Sequence, residues 1–219
     1  MNGRRRFLAA GGAAVAVALS GCADVAEIAT EEEIERSAAA VEPDRRTLED
    51  EGFEEIRNET ETIEEEVEEL GQRREITLHS EIRAYSRDTP SATTEYGESV
   101  VAAASTPGVT IAGQQLSPVA SMDEDEIIEE ARSEISSQFD GDVRDPELFE
   151  TIDQPILGDT VEVSIYEATV VSDGGAEADA RLHLAVVEHG DDVVLLAGAY
   201  PAEVDDERGR IERLFEAME

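Results

Sequence analysis

Several residue types that often serve in binding or catalysis are scarce in this sequence. Tryptophan and lysine are absent, aromatic residues make up only 4% of the chain, and the single cysteine is Cys22. The shortage of aromatic residues leaves no evident cage for sugars or nucleic-acid bases. A single cysteine excludes a disulfide within the chain, so the domain has to be stable through its hydrophobic core alone.

Positive charge is also scarce, because 17 arginines face 54 acidic residues and the net charge is −37. Nucleic acid and anionic lipid would repel such a chain, so we do not expect either as a partner. The chain would also repel itself in dilute buffer, whereas the Debye length of about 3 Å in molar salt screens that repulsion. We therefore expect a halophilic protein. An ordinary acidic protein or an acidic disordered segment is the alternative.

The N-terminal residues have the build of an export signal. Arg4 and Arg5 precede Phe7 and Leu8, which open an apolar run that ends at Leu19. The run is shorter than the roughly 20 apolar residues of a membrane-spanning helix. An arginine pair directly before Phe-Leu and a short apolar run indicates the twin-arginine export route.

The next segment, Leu19-Ser20-Gly21-Cys22, matches a lipobox, the site where a cysteine is lipidated and the preceding peptide is removed. A free thiol would be unusual in an exported protein, which favours lipidation of Cys22. Two lipid chains, at about 0.8 kcal/mol per buried methylene, would hold the protein on the external face of the cell membrane. We therefore predict a signal peptide, a lipidated cysteine with an acidic tether, and a single domain, at residues 1–21, 22–43 and 44–219.

The first half of the domain predicts a short helix and a long β-hairpin. The helix is expected at residues 44–51. Residues 74–85 alternate between apolar and polar side chains, which is typical of a half-buried strand. Residues 54–69 fit a helix or a strand, and we interpret them as the hairpin partner that the alternating strand needs. The apolar run 99–105 predicts a buried strand, and residues 109–113 predict a short strand or an extended loop.

The second half predicts two helices and an antiparallel meander. A capping box at Ser121 and apolar residues at helical spacing predict a helix that ends near Gly141. Pro146 and Pro155 leave residues 148–156 as a weak strand or a loop. The other elements are three meander strands and an amphipathic C-terminal helix, at 160–171, 179–188, 193–200 and 204–218. This order predicts an α+β domain in which helices flank a twisted antiparallel sheet.

The last strand is apolar on both faces, and its cover is predictable. Val194 and Leu196 should point to one face of the sheet, and Val193 and Leu195 to the other. A strand buried on both faces needs a helix over at least one of them. The C-terminal helix is the nearest candidate, so we expect Phe215 to pack on this strand.

Several short motifs, spread over residues 40–219, carry a resemblance. They are Gly52-Phe53-Glu54, Gly71-Gln72-Arg73-Arg74-Glu75, Ser105-Thr106-Pro107, Ala112-Gly113-Gln114, Ser117-Pro118 and Val187-Glu188-His189-Gly190. On these motifs the chain resembles a family of exported lipoproteins of halophilic archaea that has no established function. The resemblance transfers no catalytic residue. The order of elements also resembles the PsbP-like fold, which implies a membrane-associated accessory protein by analogy alone.

The residues that could bind a metal or catalyse a reaction form no recognisable constellation. Besides His79, the chain has His183 and His189, which would lie about 20 Å apart on one extended strand. We predict that these two are surface imidazoles near a hairpin rather than zinc ligands. The acidic runs lack the pattern of an EF-hand loop, and there is no Gly-x-Ser-x-Gly motif. We therefore expect no catalytic residue, no metal site and no cofactor.

Two functions from different classes remain. The first is a surface-anchored, non-catalytic interaction or assembly module with an unknown protein partner. The alternative is a lipoprotein that binds a small ligand or a lipid in a pocket under the sheet. A closed core with an exposed apolar patch would favour the first, and a large apolar cavity would favour the second.

Overall fold

An eight-stranded sheet forms the body of the described chain. The structure is a computed structural model that describes residues 33–69, 72–89, 97–108, 110–111, 114–115, 122, 126–129, 141–172, 177–204 and 206–219. The helices and strands are β1 (Glu33–Ser37), α1 (Arg45–Glu51), β2 (Glu54–Glu69), β3 (Gln72–Asp88), β4 (Glu98–Pro107), β5 (Thr110–Ile111), β6 (Gln114–Gln115), β7 (Gly141–Ile156), β8 (Asp159–Ser172), β9 (Glu177–His189), β10 (Asp192–Pro201) and α2 (Glu207–Glu216).

The sheet is open and mixed, with the order β1-β3-β4-β10-β9-β8-β7. β2 pairs along nearly all of β3, so β1 and β4 share the other edge of β3. β1 is parallel to β3, and the other pairs are antiparallel. β5 and β6 form a separate two-stranded sheet. The described part of the chain is therefore mainly β, and the predicted α+β domain with an antiparallel sheet is corrected to a mixed sheet with few helices.

The N-terminal side of the domain begins earlier than composition predicted. β1 pairs with the first half of β3, from Glu33 opposite Glu75 to Ser37 opposite His79. Ile34 is fully buried, and the compact unit spans Glu32–Glu219. Residues 33–43, predicted as tether, thus belong to the folded unit, because a single buried isoleucine and a row of backbone hydrogen bonds are enough to dock a short strand on an existing sheet.

The predicted helix at 44–51 is confirmed, with termini set by its flanking residues. The Asp44 carboxylate accepts hydrogen bonds from the backbone N–H groups of Arg46 and Thr47, which caps the first turn of α1. The Thr47 hydroxyl also donates a hydrogen bond to this carboxylate. That bond, followed by the bonds from the backbone N–H groups, lowers the pKa of Asp44. Gly52 ends the helix with φ 77°, a left-handed conformation that favours glycine. Phe53 then enters the core.

The long hairpin is confirmed, and residues 54–69 are a strand. β2 pairs with β3 from Glu54 opposite Ser86 to Glu69 opposite Gln72. On β3, the alternating residues at 76, 78, 80, 82 and 84 are all buried. The apolar residues of β2 fall at helical spacing, but this spacing did not determine its structure. β3 supplies hydrogen-bond partners for the backbone along nearly the whole length of β2, which favours the strand.

The predicted meander is confirmed and gains a fourth strand. β8, β9 and β10 pair antiparallel in sequence order, and β7 adds to β8. β7 runs from Gly141 to Ile156, so residues 148–156, for which the sequence left a weak strand or a loop open, are a strand. Pro146 and Pro155 are tolerated because, among the described residues, β7 pairs with β8 alone and is an edge strand.

The C-terminal helix packs on β10 as predicted. Ile211 and Phe215 of α2 lie in the same core cluster as Val194 and Leu196. Gly198 allows the close approach, because a Cβ atom there would lie 2.5 Å from Cγ2 of Ile211. The face of the sheet under α2 is called the helix face below.

The opposite face of the sheet is also buried. Val193 and Leu195 pack there with Ile127, which confirms that the two residue pairs of β10 point to opposite faces. Ile128 packs on a second cluster built around Leu182 and Leu184. Residues 126–129 are helical, in agreement with the predicted helix, but the capping box at Ser121 and the rest of that helix lie outside the described residues.

Candidate functional site

The most exposed apolar side chains of the described chain lie at a bulge in β7. Leu148 pairs with Tyr166 and Glu150 pairs with Ile165, so Phe149 is an extra residue with no partner in the register. Leu148 is 56% exposed and Phe149 is 51% exposed. Two neighbouring large apolar side chains at this exposure are unusual on an edge strand, where natural sheets are blunted. We call these two residues the bulge patch.

The two side chains of the bulge patch lie on opposite faces of the sheet. Leu148 lies in register with Tyr166, whose side chain belongs to the cluster opposite the helix face. Phe149 contacts Arg181, and Arg181 is paired with Tyr200 in the row that faces α2. Adjacent residues of a strand alternate between the two faces, and Phe149 keeps this alternation although it has no partner in the register.

Arg181 holds Phe149 in place. Its guanidinium carbon lies 4.6 Å from the centroid of the Phe149 ring, in a cation–π contact. Its Nη2 atom lies 2.6 Å from Oε1 of Glu167 on β8. The exposed aromatic ring is therefore braced from below by a guanidinium that is itself fixed by a carboxylate.

An acidic cavity of about 360 Å³ adjoins the bulge patch. The sheet register explains its chemistry, since Glu147, Glu167 and Arg181 follow one another across β7, β8 and β9. Asp145, with φ 51°, marks the first bulge of β7, and Asp179 completes the acidic lining. We call this space the carboxylate cavity.

The α2 helix is tied to β7 next to the patch. Arg208 pairs with Glu150 on β7 and, at 2.7 Å, with Glu212 one turn along α2. The hydrogen bond to Glu212, followed by that to Glu150, raises the pKa of Arg208. Gln154 adds a second tie, because its side-chain amide donates to the backbone carbonyl of Glu212. The middle of β7 is thus fixed to the helix that covers the core.

The start of α2 holds a buried carboxylate that sequence reasoning did not identify. Glu207 accepts a hydrogen bond of 2.7 Å from the Ser99 hydroxyl and pairs with Arg87. Nε of Arg210 lies 3.3 Å away, and Arg210 also pairs with Glu51 of α1. Glu207 thereby clamps α2 to β3 and β4.

The histidines do not come together. His183 is fully buried against Tyr200 and Phe215, which corrects the prediction that it is a surface imidazole. His189 is exposed, as expected near a hairpin. His79 contacts the Thr62 hydroxyl at 3.0 Å and the Glu35 carboxylate at 3.1 Å.

Burial lowers the pKa of His183 to about 3, and the charge of Arg208 acts in the same direction. The imidazole is therefore neutral at physiological pH. Its Nε2 atom lies 3.4 Å from the Tyr200 hydroxyl. The other ring nitrogen, Nδ1, has no hydrogen-bond partner among the described residues. This side chain fills the core under α2 and has no route to a ligand on the surface.

The last features to consider are metal sites, membrane-spanning helices and the export signal. Among the described residues, no three or more His, Cys, Asp or Glu side chains are arranged to hold a metal ion. No described helix is both long and apolar enough to cross a membrane. The export residues Arg4, Arg5, Phe7 and Leu8, and the lipobox from Leu19 to Cys22, lie outside the described residues.

The bulge patch is the functional candidate that sequence reasoning missed. A signal for it exists, because Leu148 and Phe149 stand between Glu147 and Glu150, two residues after Pro146. Acidic neighbours and a nearby proline indicate that this apolar pair lies at an edge and not in the core. The apolar–polar alternation that identifies a half-buried strand does not reveal the pair, because the bulge interrupts the period of two.

Comparison with known proteins places the chain at the family level. No curated protein matches the sequence. One family model matches residues 38–219, which is most of the chain and nearly the whole folded unit. The chain belongs to the family defined by that model, a domain of unknown function designated DUF6517.

Proposed function

We propose that this protein is a membrane-anchored extracellular lipoprotein whose domain is a non-catalytic interaction module. Twin-arginine export and lipidation of Cys22 would place it on the external face of the cell membrane, in the high salt that a net charge of −37 suits. A halophilic archaeal origin and a PsbP-like relationship are parts of the same proposal. The sheet with α2 packed on one face supports the relationship by architecture alone.

The bulge patch is the observation that carries the proposal. Leu148 and Phe149 are large, adjacent and more than half exposed, although the rest of the described core buries its apolar side chains well. Scattered exposed apolar residues need no explanation, but a braced aromatic ring beside an exposed leucine is typical of an interaction anchor. Arg181 holds the ring in a fixed position before any partner arrives, which lowers the entropy lost on binding.

The cavities lined by the described residues favour an interaction module over a pocket for a small ligand or lipid. A cavity of about 180 Å³ on the face opposite α2 is lined by Ile127, Ile128, Tyr166 and Leu184, among others. An apolar cavity beside Ala180 and Ala199 has a volume of about 20 Å³. Pockets for small molecules usually measure about 300–1,000 Å³. The larger carboxylate cavity is polar and acidic, which suits neither a lipid tail nor an apolar ligand.

The position of the patch agrees with an anchored module. β1 ends near the row of Asp192 and His189, where Ala39, two residues beyond the strand, donates a hydrogen bond to the Asp192 carboxylate. The Leu148 row runs through Tyr166 and Leu182 to Ala199 on β10. Ala199 lies seven residues beyond Asp192, or about 23 Å at roughly 3.3 Å per residue. The row of Leu148 therefore lies toward the opposite end of the sheet from β1.

Recovery of the partner from native membranes tests the proposal. We expect Leu148→Ala with Phe149→Ala to weaken recovery about tenfold, because the anchor side chains are removed. Ile56→Ala, which truncates an exposed apolar residue on β2, is the matched control and should leave recovery unchanged. Equal recovery by all three chains would refute the proposed contact surface. Cys22→Ser should release the protein from the membrane, and retention of that variant would refute the anchor.

A further inference from the structure

The bulge patch and the carboxylate cavity adjoin each other, and together they define the chemistry of the partner. We propose that the partner presents a protein segment in which an arginine or lysine lies beside an apolar side chain. The apolar side chain would contact Phe149, which lies on the same face as the row of Glu147, Glu167 and Arg181, and the cation would occupy the carboxylate cavity. This inference rests on the proposed interaction function and adds the nature of the partner.

Charge complementarity supports a cationic partner at this place. Four carboxylates line the cavity, from Asp145, Glu147, Glu167 and Asp179, against the single guanidinium of Arg181. Glu167 already pairs with Arg181. In the part of the chain that the structure describes, the other three carboxylates have no ion-pair partner. A cation entering the cavity would relieve their mutual repulsion and gain charge-assisted hydrogen bonds.

The local geometry shows how a guanidinium fits. Arg181 lies against the aromatic face of Phe149 and within 2.6 Å of a Glu167 oxygen. The face of the Phe149 ring and the carboxylate of Glu167 thus lie within reach of one guanidinium. The apolar stem of an arginine or lysine of the partner can likewise cover Phe149 while its charged end meets a carboxylate of the cavity.

A single metal ion suits this arrangement less well. The cavity carboxylates come from three different strands, and no described group of three or more is placed to coordinate one ion. A volume of about 360 Å³ exceeds the space that one coordinated ion fills and matches one or two side chains. The acidic lining therefore selects an extended organic cation.

The partner engages side chains rather than adding a strand to β7. Two register breaks interrupt β7, between Arg144 and Glu147 and between Leu148 and Glu150. Pro146 lies in the first break and has no N–H to donate. Bulges and prolines are the features by which natural edge strands prevent strand addition. Binding is consequently expected to depend on the side chains of the patch and the cavity.

Two synthetic peptides test the partner's chemistry. One alternates leucine with arginine, and the other carries glutamine in place of each arginine. Fluorescence anisotropy in molar salt measures their binding to the whole mature protein, because long-range attraction to a highly acidic chain is then screened. We expect the arginine peptide to bind at least about tenfold more tightly than the glutamine peptide.

Variants of matched charge locate the effect. Asp145→Asn, Glu147→Gln and Asp179→Asn together should remove the preference for arginine. Glu54→Gln, Glu64→Gln and Glu188→Gln change the net charge equally at exposed positions away from the cavity and should preserve it. Thermal unfolding confirms that both triple variants fold. Equal losses in the two triple variants would overturn the cavity as the cation site, because binding would then follow net charge.

The same measurements separate this inference from the proposed function. If Leu148→Ala with Phe149→Ala weakens both peptides while the cavity variant changes neither, the patch is a contact surface but its partner is not cationic. That result would overturn the inference alone. If the patch variant loses neither peptide nor membrane partner, the proposed function fails as well.

Discussion

Two edge strands of the described sheet, β2 and β7, expose apolar residues in different settings. Each contains a β-bulge with an exposed apolar residue, at Ile56 in β2 and at Phe149 in β7. Ile56 is 46% exposed, with Glu54, Glu55 and Arg57 around it. In β7, by contrast, Phe149 has Leu148 as an apolar neighbour and Arg181 as a brace.

This difference separates an edge that is only protected against strand pairing from an edge that can also contact a partner. Nine of the sixteen residues of β2 are glutamates, and such a row of like charges prevents another strand from pairing with the edge. β7 prevents strand pairing through Pro146, Pro155 and two bulges, and so does not need to be charged along its whole length. An edge closed by backbone irregularity can keep apolar side chains exposed for a specific contact. An edge closed by charge cannot.

The largest expected effect compares the core under α2 with the exposed edge of β7. Phe215→Ala should lower the free energy of unfolding by about 3–5 kcal/mol, since the ring is fully buried under α2. Phe149→Ala, the same change on the exposed edge, should alter it by no more than about 0.5 kcal/mol. Chemical denaturation in molar salt measures both. Similar losses for the two variants would contradict the division between core and contact surface.

A smaller effect concerns pH, and it distinguishes the buried histidine from the exposed one. The pKa of His183 is about 3 in the folded protein, below its ordinary value of 6.5. Between these values the unfolded chain binds more protons, so stability is fully present above about pH 6.5 and falls as the pH drops. The slope between about pH 6.5 and 5 lies above the range in which ordinary carboxylates titrate.

Replacement of the two histidines isolates this slope. His183→Phe should flatten the pH dependence of the unfolding temperature in that range, even if the variant is less stable overall. His189→Gln, at the exposed end of β9, should keep the wild-type slope. An unchanged slope in His183→Phe would mean that the imidazole is not buried in its neutral form.

Sequence patterns predicted the parts of the fold whose cause lies in nearby residues of the chain. The alternation from Ile76 to Ala84 marks β3, because one face of that strand is buried. Asp44 and Gly52 mark the ends of α1 through their capping conformations. Ile211 and Phe215 lie one turn apart and face β10. In each case the physical cause acts within a few residues, or between neighbours in the chain.

The features that escaped prediction depend on distant partners or on broken periods. β1 docks through a parallel pairing with residues some forty positions away, of which its own five residues give no sign. His183 is buried because both faces of β9 are covered, so strand parity could not distinguish it from a surface residue. Glu207 is buried only because Arg87 and Ser99 come from other strands.

The candidate site falls in this second group. Leu148 and Phe149 are large apolar residues of the kind that usually lies in a core. The pairing of β7 with β8 shows that they lie at an edge. The carboxylate cavity was hidden by the abundance of acidic residues, since 54 of them make any local group uninformative in sequence. The register of three strands brings the lining together.

Thiol labelling on native membranes tests most directly the claim that β7, and not β2, contacts a partner. Thr151 lies three residues after Leu148 on β7, Thr60 lies on β2, and both are exposed. Cys22 is the only natural cysteine and is blocked in the proposed lipoprotein, so Thr151→Cys or Thr60→Cys supplies the sole free thiol. We predict that a water-soluble maleimide labels Thr151→Cys more slowly on membranes than on the purified protein, and labels Thr60→Cys equally in both. Equal labelling of Thr151→Cys in the two settings would contradict the account.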